Sequence, residues 1–181
     1  MSTFFLHMRR CIFLLSCCLL VHAQAMAQVK QRPFPELGVY EIGSATALSW
    51  SELRPATFHV VLLVSAFEPS SEALLNALST DGVYTGEGLV VFVEGTQEQV
   101  DAFTKGRSGP LPKATWMRVN HEAVAIALRH SGTPQSHGVD PQGNAVWLVA
   151  GVPQPKAVAL SMVRGWTRRS SLPNQVLAAP Q

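Results

Sequence analysis

Residues 58–78, FHVVLLVSAFEPSSEALLNAL, decide the fold, because they join an apolar run to a helical pattern without a gap. The run from Phe58 to Ser65 is continuous and rich in β-branched residues, which is typical of a strand covered on both faces. Pro69 suits the first turn of a helix, and Ser70 is its predicted cap. The buried face of that helix is predicted to hold leucines at positions 74, 75 and 78.

Strands and helices continue to alternate beyond this stretch. The further predicted elements are a strand at 88–94, a helix opened by the capping box Thr96–Gln99, a strand at 115–119, a helix capped by Asn120, a hairpin of residues 135–139 and 145–150, and a last helix from Pro155. This order predicts an α/β protein with a parallel sheet core, an antiparallel edge, and helices on both faces.

The first 27 residues are typical of a secretory signal peptide. Arg9 and Arg10 supply its positive charge, residues 11–21 its apolar core, and Ala25-Met26-Ala27 the small-x-small cleavage pattern. The apolar core falls short of the ~20 residues that a membrane span needs. We therefore expect a periplasmic protein that is cleaved after Ala27 and has no stable membrane span.

Removal of this segment changes both the charge and the cysteine content. The full 181 residues carry 14 basic and 12 acidic side chains, a net charge of +2, and three cysteines, at positions 11, 17 and 18. Both signal-peptide arginines and all three cysteines leave with the first 27 residues, so the mature chain is neutral and has no thiol. Without a concentrated basic surface, nucleic acid binding is not expected. Without cysteine, the chain has no disulfide, thiolate nucleophile or thiolate metal ligand.

Four strings resemble the thioredoxin fold, in particular the exported TlpA/ResA-like thioredoxins. They are residues 48–54, residues 60–78, residues 88–103, and Gly132-Thr-Pro134 with the following Val139-Asp-Pro-Gln-Gly143. The last pair is similar to the family's cis-proline loop and the hairpin after it. The resemblance implies a three-layer sandwich over residues 46–165, a central mixed sheet with helices on both faces. Residues 28–45 are then a leader, and residues 166–181 a flexible tail.

The sequence departs from the family at the redox motif, where two cysteines are separated by two residues. The matching stretch is Phe67-Glu68-Pro69-Ser70-Ser71, with Glu68 where the nucleophilic cysteine stands and Ser71 where the resolving cysteine stands. Thiol–disulfide exchange needs a thiolate, so this activity is not expected and no cofactor is implied. Thr133 and Pro134 are the candidate peptide-binding residues, because backbone pairing beside the cis-proline needs no cysteine.

Two interpretations of Glu68 remain open, whereas a metal site and a nucleophilic triad are disfavoured. Glu68, at a helix N-terminus, is either a solvated carboxylate or a contact for a cationic group. His121 and His130 project to opposite faces of one helix, so they do not form a metal site with His137. A nucleophilic triad of Ser70 or Ser71, His137 and Asp140 lacks the usual elbow motif.

A basic and aromatic group follows the last helix. Its members are Arg164, Trp166, Arg168 and Arg169. It is either a complement to the helix dipole or a docking patch for an acidic partner or the membrane surface.

These observations favour a binding or assembly factor over an enzyme. Residues 64–75 also resemble the opening of TrbC-type proteins, thioredoxin-fold factors of conjugative pilus assembly, which implies envelope or secretion-system partners encoded on an integrating conjugative element. An enzyme of another class that uses Glu68, and a chaperone that binds extended peptides at Pro134, are the alternatives.

Overall fold

A mixed eight-stranded sheet forms the centre of the computed structural model, which describes residues 32–129 and 132–171. The strands are β1 (Arg32–Pro33), β2 (Gly38–Glu41), β3 (Ala47–Ser49), β4 (His59–Ser65), β5 (Leu89–Glu94), β6 (Thr115–Val119), β7 (Gln135–Val139) and β8 (Asn144–Ala150). The helices are α1 (Trp50–Leu53), α2 (Pro69–Ser79), α3 (Gln97–Arg107), α4 (His121–Leu128) and α5 (Ala157–Thr167), followed by a 3₁₀ turn at Arg168–Ser171.

The order of strands across the sheet is β1-β8-β7-β4-β5-β6-β2-β3. Strands β4, β5 and β6 are parallel, while β7 and β2 flank them in the antiparallel sense. The β7–β8 hairpin completes the predicted antiparallel edge. The predicted α/β class, a mixed sheet between helices, is therefore confirmed.

The two faces of the sheet hold separate hydrophobic clusters. Val60, Leu62 and Val64 of β4 pack in the cluster that includes buried residues of α2, α3 and α5. Val61 and Leu63 point the other way, into the cluster around Trp50 of α1 and Val124 of α4. Because successive side chains of a strand alternate between faces, a continuous apolar run is what a doubly covered strand requires.

The starts of three helices test the predicted caps. Thr96 and Gln99 form the predicted capping box, and the Asn120 side chain accepts hydrogen bonds at the start of α4. The predicted cap of α2 is wrong, since Glu68 occupies that position and Ser70 lies inside the first turn. Pro69, whose missing N–H costs nothing at the first helical position, fixes this earlier start.

Both predicted ends of the domain differ from the structure. Residues from Arg32 onward form β1 and β2, so the predicted leader contributes strands to the sheet. Trp166, expected in the tail, is buried in α5, whose inward residues are Ala159, Val163 and Trp166. This helix begins at Ala157, two residues after the predicted start at Pro155.

The predicted signal peptide lies outside the described residues, as does the chain after residue 171. Within the described ranges, none of the helices has both the length and the apolar character needed to cross a membrane.

Candidate functional site

A cleft of about 320 Å³ opens at the carboxyl ends of β4 and β5, and we name it the site cleft. It is lined by Ser65, Phe67, Glu68, Glu94, Gly95, His121, Gly132 and Thr133. Because β4 and β5 are parallel, their carboxyl ends meet at one edge of the sheet and bring these loops together. Three of the predicted site residues, Phe67, Glu68 and Thr133, therefore lie on one cleft.

The loop before α2 presents an aromatic ring and a carboxylate to solvent. Phe67 is 64% exposed, which is unusual for a ring of this size. Glu68 is also exposed, and the Ser70 hydroxyl donates a 3.2 Å hydrogen bond to its Oε2. The Ser70 Oγ also lies 3.5 Å from the Thr133 carbonyl oxygen, so this side chain faces the loop across the cleft.

Ser71 points in the opposite direction, into the protein. It is fully buried, and its hydroxyl accepts a 3.0 Å hydrogen bond from the Ser65 N–H. The correspondence of Glu68 and Ser71 to the two cysteines stays a prediction. Phe67 and Glu68 line the cleft, whereas Ser71 does not.

The loop opposite α2 has the geometry that the resemblance implies. The Thr133–Pro134 peptide bond is cis. The Pro134 carbonyl accepts a 2.8 Å hydrogen bond from the Gly151 N–H, and the Gln135 side chain donates to the Gly132 carbonyl at 3.2 Å. These bonds fix the loop to β7 and β8, so Thr133 is held at the rim of the cleft.

Sequence analysis did not identify the pair formed by Glu94 and His121. Glu94 ends β5, is 5% exposed, and its Oε2 lies 3.2 Å from His121 Nδ1. His121 is largely exposed at the start of α4. The available signal was positional: Glu94 is the polar residue that ends a buried parallel strand, beside the end of β4 that carries the predicted site.

The nucleophilic triad, which the sequence disfavours, finds no support in the contacts of His137 and Asp140. His137 is buried in β7, with its Nε2 3.2 Å from the Gln135 side-chain oxygen. Asp140 instead closes the β7–β8 turn, where Asn144 donates hydrogen bonds of 2.7 and 3.0 Å to its carboxylate. His130 lies outside the described residues, and within them no group of three His, Cys, Asp or Glu side chains could hold a metal.

The basic group after the last helix is not a single surface patch. Trp166 is 6% exposed, and its indole N–H donates to the carbonyls of His59 and Val139, each at 3.1 Å. Arg164 forms an ion pair with Asp81 at 2.7 Å. A docking patch, one of the two interpretations of this group, is therefore not supported for these two residues, because Trp166 belongs to the core and Arg164 already has a counter-ion.

Comparisons with known proteins agree on the fold. No protein-family model and no curated protein matches the chain. A thio-disulfide isomerase from Thermus thermophilus is 17% identical, with a TM-score of 0.56 over 76% of this chain and 96% of that chain. A hypothetical protein from Sinorhizobium meliloti is 18% identical, with a TM-score of 0.57 over 80% of this chain and 87% of that chain.

A putative thiol:disulfide interchange protein, DsbE, from Chlorobium tepidum is 11% identical, with a TM-score of 0.54 over 75% of this chain and 94% of that chain. Identities this low carry the architecture and not the activity. The chain therefore has a thioredoxin-like fold, similar to that of thiol-disulfide interchange proteins.

Proposed function

We propose that this chain is an exported, redox-inactive protein of thioredoxin-like fold that binds a partner in the site cleft. One observation carries the proposal: the open cleft and the cis-proline loop are present, but the side chains at the position of the redox motif cannot exchange disulfides. Glu68, Ser70 and Ser71 follow the strand end where a redox motif would stand, and none offers a thiolate.

The positions of the cysteines support redox inactivity. All three lie at or before residue 18, inside the predicted signal peptide. Cleavage after Ala27 leaves a periplasmic chain with no thiol. Its stability then depends on packing, and its action on binding.

Backbone pairing and one aromatic anchor supply the binding mode. Thr133 lies at the rim, where an extended segment can pair with its backbone as an added strand. Phe67 exposes its ring beside that position, and aromatic rings are frequent centres of binding energy. The partner is an envelope or secretion-system component, and the TrbC-type resemblance specifies conjugative pilus assembly.

Photocrosslinking in vivo tests this proposal. A photoreactive amino acid at position 67 of the full-length chain, expressed beside its intact gene cluster, is expected to capture one defined envelope component. The matched control carries the same group at Val83, which is 73% exposed and does not line the site cleft. The chain purified from the periplasm of the same cells is expected to show no reduction of insulin disulfides.

Three outcomes count against the proposal. Equal capture at positions 67 and 83 would mean that the cleft is not the binding surface. Capture of many unfolded clients at position 67 would indicate the chaperone alternative. Reduction of insulin by the purified chain would contradict redox inactivity.

A further inference from the structure

We infer that the site cleft selects a partner segment carrying a lysine or arginine side chain. This inference rests on the proposed function and names the chemistry that the same site recognises. Three observations support it: the acidic lining of the cleft, the contacts that Arg107 and Arg118 make outside the cleft, and the exposed ring of Phe67.

The lining of the cleft is acidic. Two of its eight residues, Glu68 and Glu94, carry carboxylates, one is a histidine, and none is a lysine or arginine. Glu68 is exposed at the rim, whereas Glu94 is almost fully buried and its Oε2 lies 3.2 Å from His121 Nδ1, so Glu68 supplies the exposed carboxylate of the cleft. Charge complementarity selects partners mainly by rejecting like charge, so an acidic segment is disfavoured and a basic one accepted.

Two arginines on elements near the cleft contact other groups. Arg118 of β6 stacks its guanidinium 3.9 Å from the Tyr40 ring centre and donates a 3.0 Å hydrogen bond to Gln97. Arg107 of α3 forms an ion pair with Glu72 at 3.1 Å. These two cations therefore do not neutralise Glu68, whose carboxylate accepts a hydrogen bond from the Ser70 hydroxyl.

Phe67 suits a basic side chain better than a small polar one. Lysine and arginine carry apolar stems that pack on exposed rings while their charged ends reach a carboxylate. A cation over an aromatic ring adds about 0.5–1 kcal/mol at an exposed site. Phe67 and Glu68 are adjacent at the rim, so one residue of an extended segment can contact both.

Charge reversal in the photocrosslinking experiment tests the inference. With the photoreactive group at position 67, Glu68→Lys is expected to reduce capture of the partner severalfold. The control Glu98→Lys makes the same charge change at an exposed residue of α3 outside the cleft and is expected to leave capture unchanged. Glu68→Gln removes the charge at nearly constant shape and is expected to give an intermediate loss.

Binding of synthetic peptides provides the second measurement. Three fluorescein-labelled peptides of one extended sequence differ only in a central lysine, glutamine or glutamate. Anisotropy is expected to show lysine preferred over glutamine by up to about fivefold, the strength of one exposed ion pair. Glutamate is expected to bind most weakly, and Glu68→Gln to remove the preference.

The outcomes separate this inference from the proposed function. Capture at position 67 that Glu68→Lys and Glu98→Lys leave equally intact would overturn the charge selectivity and keep the binding role. Peptides that bind with equal affinity would do the same. Absence of any capture at position 67 would overturn the binding role, and the selectivity with it.

Discussion

Two clefts lie at opposite ends of strand β4, and the larger one is not the candidate site. The cleft at the amino end has a volume of about 500 Å³ and is lined by residues that include Thr57, Tyr84 and Arg164. The site cleft at the carboxyl end has about 320 Å³. The more informative difference between the two clefts is the number of internal hydrogen bonds and ion pairs that their polar side chains make.

At the amino end, polar side chains are committed to internal bonds. Arg164 pairs with Asp81 at 2.7 Å, and the Tyr84 hydroxyl donates to the Glu87 carbonyl at 2.9 Å. Burial raises the pKa of Tyr84, so its hydroxyl stays a neutral donor. Both rims carry an exposed apolar side chain and an exposed carboxylate: Val83 and Glu87 at the amino end, Phe67 and Glu68 at the site cleft. Neither volume nor exposure alone therefore distinguishes the two clefts, whereas the internal bonds of Arg164 and Tyr84 at the amino end do.

Removing Trp166 gives the largest expected effect and tests whether the amino end serves stability. Trp166 contacts Phe58 and Trp147 edge-on, with ring centres 5.2 and 5.8 Å away, besides its two hydrogen bonds. Trp166→Ala is expected to lower the free energy of unfolding by about 3–5 kcal/mol. Urea denaturation followed by circular dichroism measures this loss.

Phe67→Ala is the matched control at the other end of the sheet. Its ring is 64% exposed, so its removal is expected to change stability by no more than about 0.5 kcal/mol. Equal losses for the two variants would remove the contrast between a stabilising and a binding end.

A smaller effect on stability is expected at the start of α2, where the Ser71 side chain points into the protein and the Ser70 side chain points towards the Thr133 loop. Ser71→Ala leaves the buried Ser65 N–H without its acceptor and is expected to cost about 1–3 kcal/mol. Ser70→Ala removes a hydroxyl that faces the cleft and is expected to change stability by about 0.5 kcal/mol or less. Thermal unfolding of both variants measures the difference; a larger loss for Ser70→Ala would reverse the assignment of the two hydroxyls.

The strand pattern was predictable because burial on both faces leaves a continuous apolar run. The runs that form β4 and β5 could be located from sequence within one residue, and Thr96 capped its helix as its spacing indicates. The start of α2 was less accessible. Ser70 is a preferred cap by residue type and Glu68 is not, but Pro69 at the first helical position places the start of the helix before Ser70.

The remaining parts of the site depend on contacts between residues far apart in sequence. Glu94 and His121 are separated by 27 positions, and only the pairing of parallel strands brings them to one cleft. Trp166 was assigned to a tail because nothing local shows that its indole reaches two strand carbonyls. Local patterns define elements, whereas tertiary pairing determines which polar residues meet.

The pH dependence of stability tests whether the amino end of β4 serves stability, because the buried His59 lies there. His59 is fully buried there; its Nδ1 lies 2.7 Å from the Thr57 carbonyl oxygen, and its Nε2 has no hydrogen-bond partner among the described residues. Burial lowers the pKa of His59 below its ordinary value of 6.5. Below pH 6.5 the unfolded chain therefore binds more protons at this residue than the folded chain does.

The free energy of unfolding is accordingly expected to fall as the pH drops below 6.5, by at most about 1.4 kcal/mol per pH unit, until the lowered pKa is reached. His59→Asn keeps a donor near the Nδ1 position and cannot titrate, so this contribution is expected to be absent from its profile. Urea denaturation from pH 5 to pH 8 compares the two proteins, and the other titrating groups cancel in the difference. Parallel profiles would show that His59 binds a proton as readily in the folded chain as in the unfolded chain. Burial at the amino end of β4 would then not disfavour the charged form of this side chain.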